Sequence, residues 1–359
     1  MNHVKDKFNK IRILIVGSGI IGKSNAFELS EYGFDVTIID QNEMHNSSNA
    51  ALGILMGKIY QKRKGRSWIL RKKSSELWPK WINVLQKYNP KLKFEKPLIK
   101  LTSDQKKFKQ LTTFVNNYPN DELEIIEANS NILKDIHKTF KGNKFQGIIS
   151  YQDGRINPHI LLETLNTALK AKNIKTIKNQ VIQIDKKFQQ WNLKLKSGEI
   201  LTSEIVILCN SLDSLKLINK EIHHIKLKPV LGQAIEIFHE DENTNFLSLP
   251  KLININDKNL ITISKKKIII GSTDEYNFKP DEFYINELFD FIQQKPNWLH
   301  KNNICRRWFG IRSRPEGEPS PLLKSLEQGL ILCSGFYKNG ILLAPACSAW
   351  VYEEVKKHI

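Results

Sequence analysis

The chain has 359 residues, 40% hydrophobic and 9% aromatic, enough for a large core and two domains, which excludes disorder as its main state. Its 55 basic against 37 acidic side chains give a net +18, a balance that ordinarily raises nucleic acid or an anionic membrane as partner. The lysines are spread along the chain beside Asn and Ile, as in Lys170-Ala171-Lys172-Asn173-Ile174-Lys175, so compositional bias explains the charge and nucleic-acid binding is not expected. The densest basic run, 58–73, reads as a solvated face.

In chain order, 11–16 reads as a short buried strand, 23–32 as a helix that Gly33 stops in a left-handed cap, and 34–40 as a second strand. Between the first strand and the helix lies Gly17-Ser18-Gly19-Ile20-Ile21-Gly22. Gly17 permits the tight turn, Gly19 lets backbone approach phosphate, and Gly22 lets helix pack close to strand. The helix N-terminus suits a pyrophosphate, and Asp40, ending the second strand, suits both hydroxyls of a ribose without 2′-phosphate. A dinucleotide is expected here.

The segment 46–56 turns from small and polar to apolar, as a stretch passing beneath a cofactor would. An amphipathic helix over 67–88 puts Trp68, Leu70, Leu77, Trp81, Leu85 and Tyr88 in the core. A strand at 96–101 and a charged surface helix at 104–116 follow. Asp153-Gly154-Arg155-Ile156-Asn157-Pro158 reads as a turn, with Pro158 opening a helix that ends near Ala171. A meander is expected from strands at 181–185, 191–195 and 205–208, and an antiparallel sheet from 228–238 and 260–271. A helix over 281–294, the segment 306–314, a buried strand at 329–334, a tight loop at 335–340 and a helix from Leu342 onward complete the chain, whose end folds back onto its beginning.

Cys209, Cys305, Cys333 and Cys347 form no Cys-x-x-Cys pair, so neither a zinc knuckle, a redox dithiol nor any metal site is expected, and a reducing compartment is. Residues 1–10 are polar and carry no signal-peptide pattern, and no apolar run reaches the roughly 20 residues of a membrane helix. A cytoplasmic location is expected, with peripheral membrane contact left open.

Several segments, in this order, resemble the flavin-dependent D-amino-acid oxidase superfamily, and within it the glycine oxidases. They are 17–40, the Ser47-Ser48-Asn49-Ala50-Ala51-Leu52-Gly53 segment, 154–165, Pro229-Val230-Leu231-Gly232-Gln233 and Gly271-Ser272-Thr273. The most specific are Trp308-Phe309-Gly310-Ile311-Arg312 and Gly335-Phe336-Tyr337-Lys338-Asn339-Gly340-Ile341-Leu342-Leu343-Ala344-Pro345. The resemblance implies an α/β fold: a Rossmann-type FAD-binding domain with a discontinuous substrate domain on an antiparallel or mixed sheet. The FAD-binding parts would be 1–90, 149–220 and 304–359, and the substrate parts 91–148 and 221–303.

By the same resemblance, FAD would be bound non-covalently, because Ser313-Arg314-Pro315 has no thiol where flavinylated relatives carry one. Ile20, Ile21, Asp40 and Gln41 would hold its adenosine pyrophosphate side, and Val181 its adenine. Ser47, Ser48, Leu52, Gly53 and Ile54 would follow the ribityl chain and ring. The loop Gly335, Phe336, Tyr337, Asn339, Gly340, Ile341 and Leu342 would meet the ring's pyrimidine edge, where a helix N-terminus stabilises developing negative charge. Arg312 matches the substrate-carboxylate arginine, whose fork would aim Cα–H at flavin N5. Lys338 stands where glycine oxidases have arginine, and Tyr276 and Tyr337 are candidates for the pocket wall. Asn210-Ser211-Leu212 and Leu231 also depart from the family pattern and put the substrate in question.

The implied activity is oxidation of an amine or α-amino acid of the glycine, sarcosine or D-amino-acid type. The partners are that small molecule and oxygen or another electron acceptor. A flavin monooxygenase using NAD(P)H, a dehydrogenase with a non-oxygen acceptor, and a flavoprotein with an altered substrate pocket are the alternatives. The amine, the acceptor and a homo-oligomeric state stay open.

Overall fold

Alternation of apolar side chains sets the first sheet. In the strand Arg12–Val16, Ile13 and Ile15 enter one core cluster while Leu14 and Val16 enter another, the two-residue period of a strand covered on both faces. The same division recurs in Ile205–Leu208 and Leu330–Ser334. The architecture comes from a computed structural model, which describes residues 11–41, 46–219, 223–242 and 244–359. The reading of residues 1–10 falls outside them.

This sheet has six strands in the order Leu322–Glu327, Leu330–Ser334, Ile205–Leu208, Arg12–Val16, Asp35–Asp40 and Lys175–Lys178. All neighbours are parallel except the first pair. The helices Ile20–Glu31, Gly65–Leu85, Pro158–Ala171 and Gly340–Lys357 cover one face. The C-terminal helix packs between the first two, with Trp78 Nε1 donating to the Leu342 carbonyl at 3.0 Å and Ser348 Oγ to Asn25 Oδ1 at 3.0 Å. The chain's end therefore closes on its beginning. Trp78 is fully buried, whereas Trp68, expected in the core, is only half-buried.

A three-stranded meander of Val181–Lys187, Gln190–Leu195 and Ile200–Ser203 covers the other face. Its third strand is not 205–208, as expected. Ile205–Leu208 is buried at every residue, as a central parallel strand requires, and sits beside Arg12–Val16.

The second sheet has eight mostly antiparallel strands: Ile304–Pro315, Leu227–Phe238, Lys267–Gly271, Lys258–Ser264, Leu252–Ile255, Leu98–Thr102, Gln146–Ser150 and Leu123–Ile126. Ile304–Pro315, expected within the third FAD-binding part, pairs here along the length of Leu227–Phe238. The expected helix over 281–294 is reduced to Glu282–Ile285 and a 3-10 turn, Asn286–Leu288. Asn256 Nδ2 donates to the Phe291 carbonyl at 2.8 Å and Asn143 Nδ2 to that of Gln294 at 2.7 Å, which ties the end of this segment to the neighbouring sheet.

Candidate active site

The glycine loop is built as its sequence requires. Gly17 has φ +105°, and a Cβ there would lie 2.8 Å from the Cys209 carbonyl. A Cβ on Gly22 would lie 1.8 Å from the Gly17 oxygen, so helix and turn touch backbone to backbone. The helix starts at Ile20, earlier than the expected 23, with Gly19 uncapped by any side chain of its own. Ser48 reaches over instead, its Oγ accepting from Ile20 N at 2.9 Å. Asp40 stands at the end of its strand and accepts from Ser18 N at 2.6 Å.

Two cavities of about 940 and 460 Å³ share Gly19, Ser47, Ser48 and Ser211 and so form one elongated trough. The larger is lined by Gly17, Asp40, Gln41, Val181, Asn210 and Leu212. The smaller begins at Ile20, Ile21, Leu52, Gly53 and Ile54. It ends at Arg312 and at Phe336, Tyr337, Lys338, Asn339, Gly340 and Ile341 of the C-terminal loop. Gly22, Gly335 and Leu342 stand behind these walls. Gly335, at φ +65°, turns the loop, and Leu342 is buried in the core. A long dinucleotide fits the trough, and its glycine cradle leaves no room for a Cβ.

Arg312 projects from Ile304–Pro315 across the neighbouring strand. Gly232 makes room: a Cβ there would meet the guanidinium Nη2 at 1.9 Å. Arg312 Nη2 donates to Ser272 Oγ at 2.7 Å, and Nη1 to the Thr273 carbonyl at 3.2 Å and Asp274 Oδ1 at 2.8 Å. The other carboxylate oxygen of Asp274 pairs with Lys338 Nζ, and Tyr337 Oη donates to Oδ1 at 3.4 Å. Burial, then the Asp274 charge, pushes the Tyr337 pKa up to about 12, so this phenol keeps its proton. Lys338 thus stands beside Arg312 through one shared carboxylate.

Asp274 lies one residue beyond the Gly271-Ser272-Thr273 segment that the resemblance marks, and two cations expected in one pocket are the signal in the sequence for such a counter-ion. Glu275, fully buried, anchors the same segment: its Oε1 accepts from Thr273 Oγ1 at 2.5 Å and Gln233 Nε2 at 2.9 Å. Tyr276, expected in the pocket wall, is 61% exposed and lines neither cavity; its hydroxyl accepts from Arg314. Leu231 is buried in the sheet.

Three of the four cysteines, dispersed in sequence, meet in space, and Cys305 stands apart beside Glu236. Cys209, Cys333 and Cys347 lie together, all free, with Cys333 lining the smaller cavity, and burial pushes the Cys209 and Cys333 thiols well up, so both stay neutral. Among the described residues no group of His, Cys, Asp and Glu could hold a metal ion. No described helix is long and apolar enough to cross a membrane.

A family model described as FAD dependent oxidoreductase (DAO) matches residues 12–354. Among curated proteins, the chain is 21% identical over 277 residues to an uncharacterized oxidoreductase, YurR, of Bacillus subtilis (strain 168), covering 76% of this chain and 73% of that one. Among solved structures, a glycine oxidase from Bacillus cereus ATCC 14579 superposes with a TM-score of 0.82 at 18% identity, covering 97% of this chain and 98% of the other. An iminodiacetate oxidase from Chelativorans sp. BNC1 superposes with a TM-score of 0.81 at 15% identity, covering 96% and 95%. At these identities the structural matches establish the fold.

Proposed function

The chain belongs to the FAD dependent oxidoreductase (DAO) family, and from that premise we propose that it oxidises a primary or secondary α-amino acid at Cα to the imine, which water opens to a 2-oxo acid. The observation that carries this reading is the Arg312 guanidinium, given its space by Gly232 and facing the cavity that the 336–341 loop closes. The names of similar structures, glycine oxidase and iminodiacetate oxidase, support a substrate with a carboxylate next to an amine.

Bound FAD supplies the acceptor for the hydride that leaves Cα. Gly17, Gly19, Asp40, Gln41 and Val181 would hold its adenosine end non-covalently, and Ser47, Ser48, Leu52, Gly53, Ile54 and the 336–341 loop its ring end. The helix Gly340–Lys357 has no side-chain cap, so its first N–H groups and dipole favour negative charge beside that loop. Arg312 grips the substrate carboxylate with its planar fork and so fixes the direction of Cα–H. Asp274 holds that fork and the Lys338 ammonium in place and moderates their charge. Tyr337, protonated at every working pH, donates a hydrogen bond and is no base. The hydride leaves from the neutral amine, so no side-chain base is needed.

Under air, a panel of glycine, sarcosine and D-amino acids should include at least one that is consumed with stoichiometric 2-oxo acid. Peroxide in equal amount marks an oxidase, and its absence with turnover on an added quinone marks a dehydrogenase. Consumption of no amine under either condition would sink the reading.

A further inference from the structure

Arg71 is a buried cation that the mechanism above does not use. It lies in the helix Gly65–Leu85, is 5% exposed, and lines the same cavity as Arg312. Its Nη1 donates to the Met56 carbonyl at 2.7 Å and its Nη2 to Asn339 Oδ1 at 2.7 Å, while the guanidinium lies 3.8 Å over the Tyr60 ring. Nε is buried with no hydrogen-bond partner.

Among the described residues no carboxylate pairs with this arginine. Asp153 acts on it from a distance, but the carboxylate of Asp153 already accepts from the backbone N–H groups of Gly57, Lys58 and Ile59 and from Ser150 Oγ. Arg155, buried to the same degree at 6% exposed, shows the ordinary solution: its Nη1 meets Glu95 Oε2 at 2.9 Å. A guanidinium taken out of water and left with neutral acceptors is costly, and an anion delivered by a ligand relieves that cost. Met56, Tyr60 and Asn339 frame the approach to it from the cavity.

We propose that Arg71 forms a second anion subsite of the active-site cavity and that the substrate is a dicarboxylic amine, its α-carboxylate on Arg312 and its distal carboxylate on Arg71. This rests on the amino-acid reading of Arg312. The separation of the two guanidinium groups then selects the length of the substrate.

The test uses the full-length, FAD-loaded protein and glycines bearing N-carboxymethyl, N-(2-carboxyethyl) and N-(3-carboxypropyl) groups, each compared with its neutral amide. For one acid of the series, anaerobic flavin reduction should be at least tenfold more efficient than for its amide. Arg71→Gln should remove that preference, and Arg71→Lys, which keeps the charge but not the fork, should retain part of it. No preference for any acid in the parent overturns the proposal, and so does an Arg71→Gln variant that loses acid and amide equally. A tenfold weaker hold on FAD in that variant also overturns it, since Arg71 would then serve the cofactor loop through Asn339.

If no amine reduces the flavin, the amino-acid reading fails, and the subsite is tested alone by calorimetry with succinate and glutarate against butyrate. Tighter dicarboxylate binding that Arg71→Gln abolishes supports the subsite, and equal binding of all three overturns it. The length series on the parent can overturn the proposal even if the Arg71 variants do not fold.

Discussion

Arg312→Met is expected to raise the amino-acid concentration for half-maximal flavin reduction by about 100- to 1,000-fold, the equivalent of about 3–4 kcal/mol, as truncating one partner of a buried charge pair costs. FAD content should be that of the parent, because Arg312 stands at the far end of the trough from the Gly17 loop. The two readouts separate substrate binding from folding. Asp274→Asn is the companion variant with the opposite sign. It removes the carboxylate that occupies Arg312 Nη1 and Lys338 Nζ, and should tighten substrate binding by about threefold to tenfold, the ~1 kcal/mol of a partly exposed ion pair. Unchanged affinity in Arg312→Met would remove the arginine from the substrate site.

Gly22→Ala is expected to abolish FAD retention. The added Cβ would sit 1.8 Å from the Gly17 carbonyl oxygen, and no flexible side chain is there to yield. Either the helix Ile20–Glu31 moves from the strand or the turn opens, and overpacking of this kind costs about 1–3 kcal/mol. Since the loop that shifts is the one proposed to face the pyrophosphate, most of that cost should appear as weaker binding, up to about 150-fold at the upper figure. Absorbance of the flavin after gel filtration measures it, with the melting temperature of the apoprotein as the control for folding. A variant that keeps its flavin as the parent does would show that the loop is an ordinary turn.

The first βαβ unit was legible because its information is local: three glycines, an acid and two apolar strands within thirty residues impose turn, helix and spacing together. The C-terminal block was legible by resemblance, and of its residues 336–341 line the trough while Gly335 and Leu342 stand behind it. What escaped was created by juxtaposition. Asp274 and Gly232 matter because a strand 80 residues from one and 38 from the other carries Arg312 across them. Arg71 read as one more charge in a basic run, and only its burial against Met56 and Asn339 sets it apart. Tyr276 had the right type of side chain but faces Arg314 at the surface.

Secondary structure failed where tertiary contacts decided it. In 281–294, Ile285, Leu288, Phe289, Phe291 and Ile292 are buried and Phe283 is exposed, and Asn143 and Asn256 tie the end of the segment to the sheet domain. Strands 200–203 and 205–208 are separated by one residue, and only the burial of both faces of the second assigns it to the parallel sheet.

The central claim is that an α-amino acid, held by Arg312, reduces the flavin. Anaerobic stopped-flow mixing of the FAD-loaded protein with a panel of amino acids and amines, and separately with NADPH, tests it most directly. The account predicts bleaching of the flavin by at least one α-amino acid and none by NADPH on the same timescale. Rapid bleaching by NADPH with none by any amine would contradict it.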